Sequence, residues 1–478
     1  MQLPTIEFLL FFSLVFFVSI LVRNKPFIFS LVLLASSIIF YASWDLTFIA
    51  LIVIEILATY LSLVGIYSHK PLTKKISFIL GIIVVIGFWF TFKYYNFFAL
   101  SLFELFQGLR IPVELPLLQI VAPLGISFYS FKIYSHLFDS FKRKVETLPT
   151  LLNYANFISF FPQISAGPIM KAQEFYPQIS APYSYRVEEV LILLFTGFVK
   201  KVIIGSFLFD FIRDPFVVPT DYASLDLLIA AVGYSALIYV DFSGYNDIAT
   251  AISQLLGFSV PSNFNMPYQS NTLAEFWRRW HTTLGRWLKD YIYIPLGGSR
   301  KGTIRKYINL LITFTFSGLW HGVGFNFMIW GALHGIGLCV DDVLRKVTGR
   351  FYAQFEGRHK TQAVLSILGS TLGWGITLSF VILSRIFFNT PTIEKALEYW
   401  QTLLFGQKTT LQLIDIRSLS IIAFVFLLNF IEIPLIKGAT NFLAHRSTTF
   451  KVIVFVILIY IAMEFMPELV APFIYYKF

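Results

Sequence analysis

Long apolar runs with few charges recur along this chain, and they limit its possible folds more than any other feature. They cover residues 8–22, 26–44, 46–67, 76–92, 115–137, 190–213, 227–256, 307–340, 363–388, 419–435 and 452–470. About 20 apolar residues are needed to carry a helix across a bilayer, with a range of about 17–25. Only 13% of the residues are charged and 56% are hydrophobic, against roughly a quarter charged in soluble domains. A soluble chain could not enclose that much apolar surface and still present a polar exterior. Disordered, collagen-like and coiled-coil classes fail on the same composition. The expected fold is all-α, a polytopic integral membrane protein with about 10–12 transmembrane helices in one domain.

The distribution of basic residues orients these spans. Arg23 and Lys25 follow the first run, His69, Lys70, Lys74 and Lys75 the third, and Lys142, Arg143 and Lys144 the fifth. Positive loops stay in the cytoplasm, so the N-terminus is expected outside, with Lys93 a mild exception. Loop cations also account for the net charge of +10 without nucleic acid as a partner; the partner is the lipid bilayer. The single cysteine, Cys339, excludes an internal disulfide framework and a Cys-rich metal site. Glu7 precedes the first run and no small-residue cleavage site follows it, so no removable signal peptide is expected.

Polar residues inside apolar runs mark the candidate sites, because ionisable groups at membrane depth are costly and face a cavity or each other. Residues 151–170 contain Asn153, Asn156, Pro162, Gln163, Gly167 and Pro168, which suits a broken or re-entrant segment. Of the seven histidines, His69, His359 and His445 sit among basic loop residues, and His136 lies near a span end, where it reads as interfacial. His321 stands near the middle of the longest uncharged run, with Gly318 one turn before it and Gly322 directly after. It reads either as a buried histidine satisfied by a carbonyl or as a general base that is neutral at rest. His334 lies 13 residues further on, on a different face of a continuous helix, and reads as structural. His281 lies in Glu275-Phe276-Trp277-Arg278-Arg279-Trp280-His281, which is either an interfacial amphipathic helix or a basic mouth for a phosphate-bearing donor. Asp241 and Asp247 could relay protons, orient a histidine, or pair with that arginine-rich segment, the last being preferred.

Six motifs occur in order: Leu124-Gly125-Ile126-Ser127-Phe128, residues 239–247, Asn265-Met266-Pro267-Tyr268, residues 275–281, residues 290–298 and residues 317–322. Together they resemble the membrane-bound O-acyltransferase family, in its bacterial branch of alginate and peptidoglycan O-acetyltransferase membrane components. The resemblance is densest between residues 230 and 335, the expected catalytic core segment. It implies a ring of tilted helices around a thin core with a central tunnel. It also selects His321 as the active-site histidine and His281 as the second. Residues 471–478 form a C-terminal tail ending Phe473-Ile474-Tyr475-Tyr476-Lys477-Phe478, similar to a pattern in which the tyrosine carries the acyl group on the outer side.

The implied activity is an O-acyltransferase of the bacterial cytoplasmic (inner) membrane. It would move an acetyl group from a cytoplasmic thioester, acetyl-CoA, for O-acetylation of an extracytoplasmic polysaccharide. His321, His281 and Tyr475 are the implied catalytic residues, and Arg278, Arg279 and Trp280 the implied donor contacts. No metal is required, since a thioester is already activated. A separate periplasmic or surface acetyltransferase would complete delivery. An external C-terminus follows if the number of spans is even. The alternatives are D-alanyl transfer to teichoic acid and, from another class, a transporter built on Asp241, Asp247 and the broken segment.

Overall fold

In lipid every backbone polar group must be satisfied internally, so the apolar runs are committed to helix before any packing is considered. In the computed structural model they are helices. It describes residues 1–478 except 2, 4, 115, 119–120, 183, 355–358, 468–469 and 475–478. Among the described residues there is no strand, only an isolated antiparallel bridge between Phe264 and Trp280. Among the described residues seven helices are long and apolar enough to cross a membrane: Leu46–Ile66, Pro71–Gly108, Val187–Val217, Ser224–Leu255, Phe325–Gly349, Thr361–Asn389 and Ile416–Ala444. Ile6–Val22 and Pro26–Ala42 are apolar but shorter. Local chemistry sets many of the starts. Thr5 and Asp45 accept from the backbone N–H groups of Phe8 and Thr47, and Pro26 and Pro71 stand at first helical positions.

Three expected runs differ from the helices observed. The run at 115–137 becomes a helix only from Ile126 to Phe141, because Gly125 turns the chain with φ +72°. A Cβ at Gly125 would lie 2.0 Å from the Ile164 carbonyl oxygen, so only glycine fits this turn. The run at 307–340 is two helices, Thr303–His321 and Phe325–Ala353, separated at Gly322-Val323-Gly324. The last helix, Thr448–Glu464, ends before residue 470.

The chain divides into two compact units, Met1–Val190 with Tyr245–Pro261, and Leu191–Gly244 with Ser262–Phe478. In the first, the broken segment is a nine-residue helix, Leu151–Ser159, followed by buried turns. Phe161 in those turns packs against Phe8, Phe11 and Phe40. Leu151, Leu152, Ala155 and Ser159 line an apolar cavity of about 340 Å³ with Leu34, Ile52 and Ile56. His136 is only 1% exposed, not interfacial as expected. Its two ring nitrogens bond the Tyr176 hydroxyl at 2.7 Å and Ser140 Oγ at 3.2 Å, which satisfies an imidazole inside the core.

In the second unit, the helices on either side of residues 322–324 pack against each other at glycine. A Cβ on Gly318 would lie 2.1 Å from the Phe327 carbonyl oxygen, and one on Gly331 would lie 2.2 Å from that of Phe314. The close approach that Gly318 permits is therefore helix against helix. We expect Gly331→Ala and Gly318→Ala each to reduce folded protein sharply in fluorescence-detected size exclusion. Gly349→Ala, where nothing lies within 4 Å, should match or slightly exceed wild type, by up to about 1 kcal/mol of helix propensity. Equal yields from all three would contradict the glycine contact.

Candidate functional site

The break at residues 322–324 decides what surrounds His321. His321 is the last residue of its helix, with Gly322 as the cap, and is 3% exposed. The next helix folds back, so Trp330 meets the His321 ring at 5.2 Å between centroids and the His334 ring at 4.8 Å. The two histidines, expected on separate faces of one helix, thus line one small cavity with Trp277, Trp280, Trp330, Phe388 and Arg385.

The roles of the two rings differ. The Trp277 indole N–H lies 3.2 Å from His334 Nδ1 and can only donate, so Nδ1 accepts. Neutral His334 then carries its proton on Nε2, 3.1 Å from Ser384 Oγ. Both nitrogens are occupied, in keeping with a structural role. His321 is enclosed by the rings of Trp320, Trp330 and Phe388 at 4.8, 5.2 and 5.2 Å. A neutral imidazole in so dry a setting can take a proton from a substrate hydroxyl without water competing for it.

His281 also meets Trp320, its ring centroid 6.0 Å from the indole and 4.8 Å from Phe242. The segment around it is not one amphipathic helix. It is two seven-residue helices, Leu273–Arg279 and Thr282–Leu288, joined at a His281 in left-handed conformation with φ +44°. Asn265 N–H donates to the Arg279 carbonyl and Thr282 N–H to that of Asn263, which holds this turn and points the imidazole inward. Asn263 Oδ1 already accepts from the Thr283 N–H and hydroxyl, so the 3.3 Å contact makes His281 Nδ1 a donor. That leaves Nε2 as a bare acceptor, buried and without a hydrogen-bond partner among the described residues. Burial pushes the His281 pKa down to about 3, so the ring is neutral at cellular pH.

The expected basic mouth separates into unlike parts. Arg278 is exposed. Arg279 is held by Glu275 at 2.9 Å and by the Asn265 carbonyl at 3.2 Å. Trp280 and Trp287 are buried rather than interfacial, because the turn at residues 280–281 directs Trp280 into the cavity wall.

Asp241 does not pair with the arginine-rich segment. It pairs with Lys201, at 2.5 Å, with both side chains almost wholly buried. Lys201 sits in a π-helical turn, Val199–Ile204, beside Lys200, which pairs with Glu432 at 2.5 Å. Neighbouring residues on a helix point about 100° apart, so two lysines in sequence need acids from two different helices. The Lys201–Asp241 pair also grips the C-terminal tail. Asp241 Oδ2 accepts from the Ile474 N–H at 2.9 Å, Lys201 donates to the Ala471 carbonyl at 3.0 Å, and Ser206 Oγ accepts from the Ala471 N–H at 2.9 Å. Phe473 is buried 6.0 Å from Phe242, the ring that also touches His281. Tyr475 lies outside the described residues.

Arg385 went unremarked in the sequence, although it is the lone charge in the apolar run at 363–388. It is 3% exposed and lies over the Trp280 ring at 4.5 Å. The signal that singled out His321, one polar residue in a long apolar stretch, applies to it equally.

The sequence pattern of the membrane-bound O-acyltransferase family matches residues 86–365. The peptidoglycan O-acetyltransferase of Helicobacter pylori is 34% identical over 396 residues, covering 77% of this chain and 72% of that protein. The probable alginate O-acetylase AlgI of Pseudomonas aeruginosa is 32% identical over 385 residues, covering 78% and 69%. The teichoic acid D-alanyltransferase of Bacillus subtilis is 30% identical over 233 residues, covering 45% and 58%.

Removing one member of a buried ion pair leaves its partner uncompensated and costs about 3–5 kcal/mol. Lys201→Met and Asp241→Leu should each lose that much in thermal unfolding followed by tryptophan fluorescence. The double variant should lose clearly less than the sum. Additive losses would mean that the two charges do not stabilise each other.

Proposed function

The chain belongs to the membrane-bound O-acyltransferase family, and from that premise we propose that this multi-pass membrane enzyme passes an acetyl group from acetyl-CoA towards an extracytoplasmic polysaccharide of the peptidoglycan or alginate kind. The observation that carries the reading is His321, buried at a helix end and facing a small aromatic cavity in the residues matched by the family. In this reading the acceptor hydroxyl gives its proton to His321 as its oxygen attacks the thioester carbonyl. The carbon–sulfur bond then breaks and the thiolate takes the proton back. General-base help of this kind is worth roughly 10²–10⁴-fold, and confinement of both reactants adds to it.

The bare Nε2 of His281 suits a second proton acceptor, its ring 6.0 Å from that of Trp320. Exposed Arg278, with Arg279 beside it, is the proposed contact for the donor's phosphates, while Trp280 serves the wall of the reaction space. Residues 230–335 are the catalytic core segment in this reading and 471–478 the tail. We place the enzyme in the bacterial cytoplasmic membrane with both termini outside, and a periplasmic or surface acetyltransferase completes delivery. The broader coverage by acetyltransferase relatives favours acetyl over D-alanyl transfer.

The tail is the proposed acyl carrier. Its backbone is held inside the second unit as far as Ile474, one ring contact from the Phe242 that touches His281, and Tyr475 is the next residue. A phenol with a reference pKa of about 10 is protonated at neutral pH and needs a base, which the site's histidines supply.

Two outcomes are expected. In proteoliposomes given radiolabelled acetyl-CoA, His321→Ala should lower acetyl transfer by at least about 10²-fold at normal expression. Near-normal transfer would take His321 out of the chemistry. Mass spectrometry of the C-terminal peptide should find an acetyl adduct in wild type and in Tyr476→Phe, and none in Tyr475→Phe. Full transfer by Tyr475→Phe would leave the tail a structural insert.

A further inference from the structure

A buried guanidinium with no carboxylate beside it is an expensive thing for an apolar interior to hold. Arg385 is such a group. Its one hydrogen bond among the described residues is from Nη1 to the Tyr268 hydroxyl, at 2.6 Å. Otherwise it rests on ring faces, 4.5 Å from the centroid of Trp280, 5.4 Å from Tyr268 and 5.9 Å from Phe276. No acidic residue lies within ion-pair distance of it among the described residues, although the same unit pairs Lys200 and Lys201 with acids of their own. Aromatic faces attract a cation without cancelling its charge. The guanidinium therefore lines the cavity it shares with His321 as a largely uncompensated positive charge.

A second wall of that cavity carries a matching feature. The indole Nε1–H of Trp330 is buried and has no hydrogen-bond partner among the described residues. Trp277, by contrast, spends its indole N–H on His334. One uncompensated cation and one unspent donor thus border the same small space as the proposed base.

We infer that Arg385 and Trp330 form the oxyanion site of this enzyme, taking the carbonyl oxygen of the acyl donor. The inference rests on the acyl-transfer reading given above and adds to it the groups that stabilise the tetrahedral intermediate. When the acceptor oxygen bonds to the carbonyl carbon, its proton passes to His321 and the carbonyl π electrons move onto oxygen. That oxygen is then an anion in a dry site, where a fixed positive charge and a fixed N–H act far more strongly than in water. When the intermediate collapses, the electron pair returns, the carbon–sulfur bond breaks, and the thiolate takes the proton from His321. Arg385 exchanges no proton in the cycle. A guanidinium suits that duty because it remains charged at any cellular pH.

The test uses the full-length protein in liposomes, with acetyl-CoA as the probe and released CoA as the readout. Arg385→Gln should lower kcat by about 10²–10³-fold with KM within about threefold of wild type, the range for loss of one oxyanion donor. Arg385→Lys keeps a cation only while its ammonium is protonated, so it should recover part of kcat at low pH and lose it as pH rises, where wild type does not. Trp330→Phe keeps the ring packing and should lose about tenfold or more in kcat. Several results would overturn the inference: kcat in Arg385→Gln within threefold of wild type, kcat in Arg385→Lys no higher than in Arg385→Gln at any pH, full activity in Trp330→Phe, or no folded protein from either Arg385 variant. A wild-type protein that releases no CoA would instead overturn the acetyl-CoA reading and take the oxyanion site down with it. The two failures differ in whether the wild-type enzyme turns over.

Discussion

Charge inside an apolar interior has to be neutralised where it stands, and the second unit depends on how two adjacent lysines meet that demand. Lys200 and Lys201 occupy a π-helical turn between Val187–Phe198 and Gly205–Val217. Their acids come from different helices, Glu432 from Ile416–Ala444 and Asp241 from Ser224–Leu255. Removing a partner from either pair would strand an ion at a cost comparable to a large part of a domain's net stability. The pairs therefore tie three helices together in one arrangement. Tyr239 adds a hydroxyl bond to Glu432, filling an acceptor that a lone lysine leaves open. Surface pairs such as Arg213–Asp214, about 60% exposed on both sides, carry no such constraint.

The same rule separates satisfied from unsatisfied polar residues around the cavity. His334 has both nitrogens occupied, and Asn326 donates to the carbonyls of Phe387 and Thr390, closing the end of the neighbouring helix. These groups have met their hydrogen-bonding demands within the fold. Among the described residues His281 Nε2 and the Trp330 N–H have no hydrogen-bond partner and Arg385 has no acidic one, and satisfied polar groups are the norm in protein interiors. In the proposed reading, a reacting molecule completes the set at these three groups.

Much of this was legible in the sequence, for reasons that particular residues illustrate. The apolar runs announced a helical membrane protein because twenty uncharged residues have few other uses. His321 stood out as one polar group in such a run. The break after it was less legible: Gly322-Val323-Gly324 lies inside an uninterrupted apolar stretch, and hydropathy does not distinguish one long helix from two folded back at glycine. That missed turn led to the separate placement of His321 and His334. Trp280 misled for a related reason. Tryptophan next to arginine is the usual signature of a membrane interface, but the left-handed backbone at His281 turns this tryptophan inward. Asp241 was read against the nearest dense cluster of arginines in the sequence. Its actual partners, Lys201 and the backbone of Ile474, are separated from it by 40 and 233 residues, a distance that no local pattern encodes.

The tail shows why the ion pairs matter beyond holding helices. Residues 470–473 are not helical, so they lack the ladder of backbone hydrogen bonds that a helix supplies. An irregular backbone is tolerated in an apolar interior only where the surrounding protein supplies those partners. Lys201, Asp241 and Ser206 supply them, giving one bond to the Ala471 carbonyl and one each to the N–H groups of Ala471 and Ile474. Two charged groups that neutralise each other still have donor and acceptor capacity left, which two packed leucines would lack. Replacing the pair by hydrocarbon could restore electrostatic balance and still leave the tail's backbone bare. The pair is thus suited to seating residues 471–474 close to the Phe242 ring, and their position depends on the same two side chains that fix the helices.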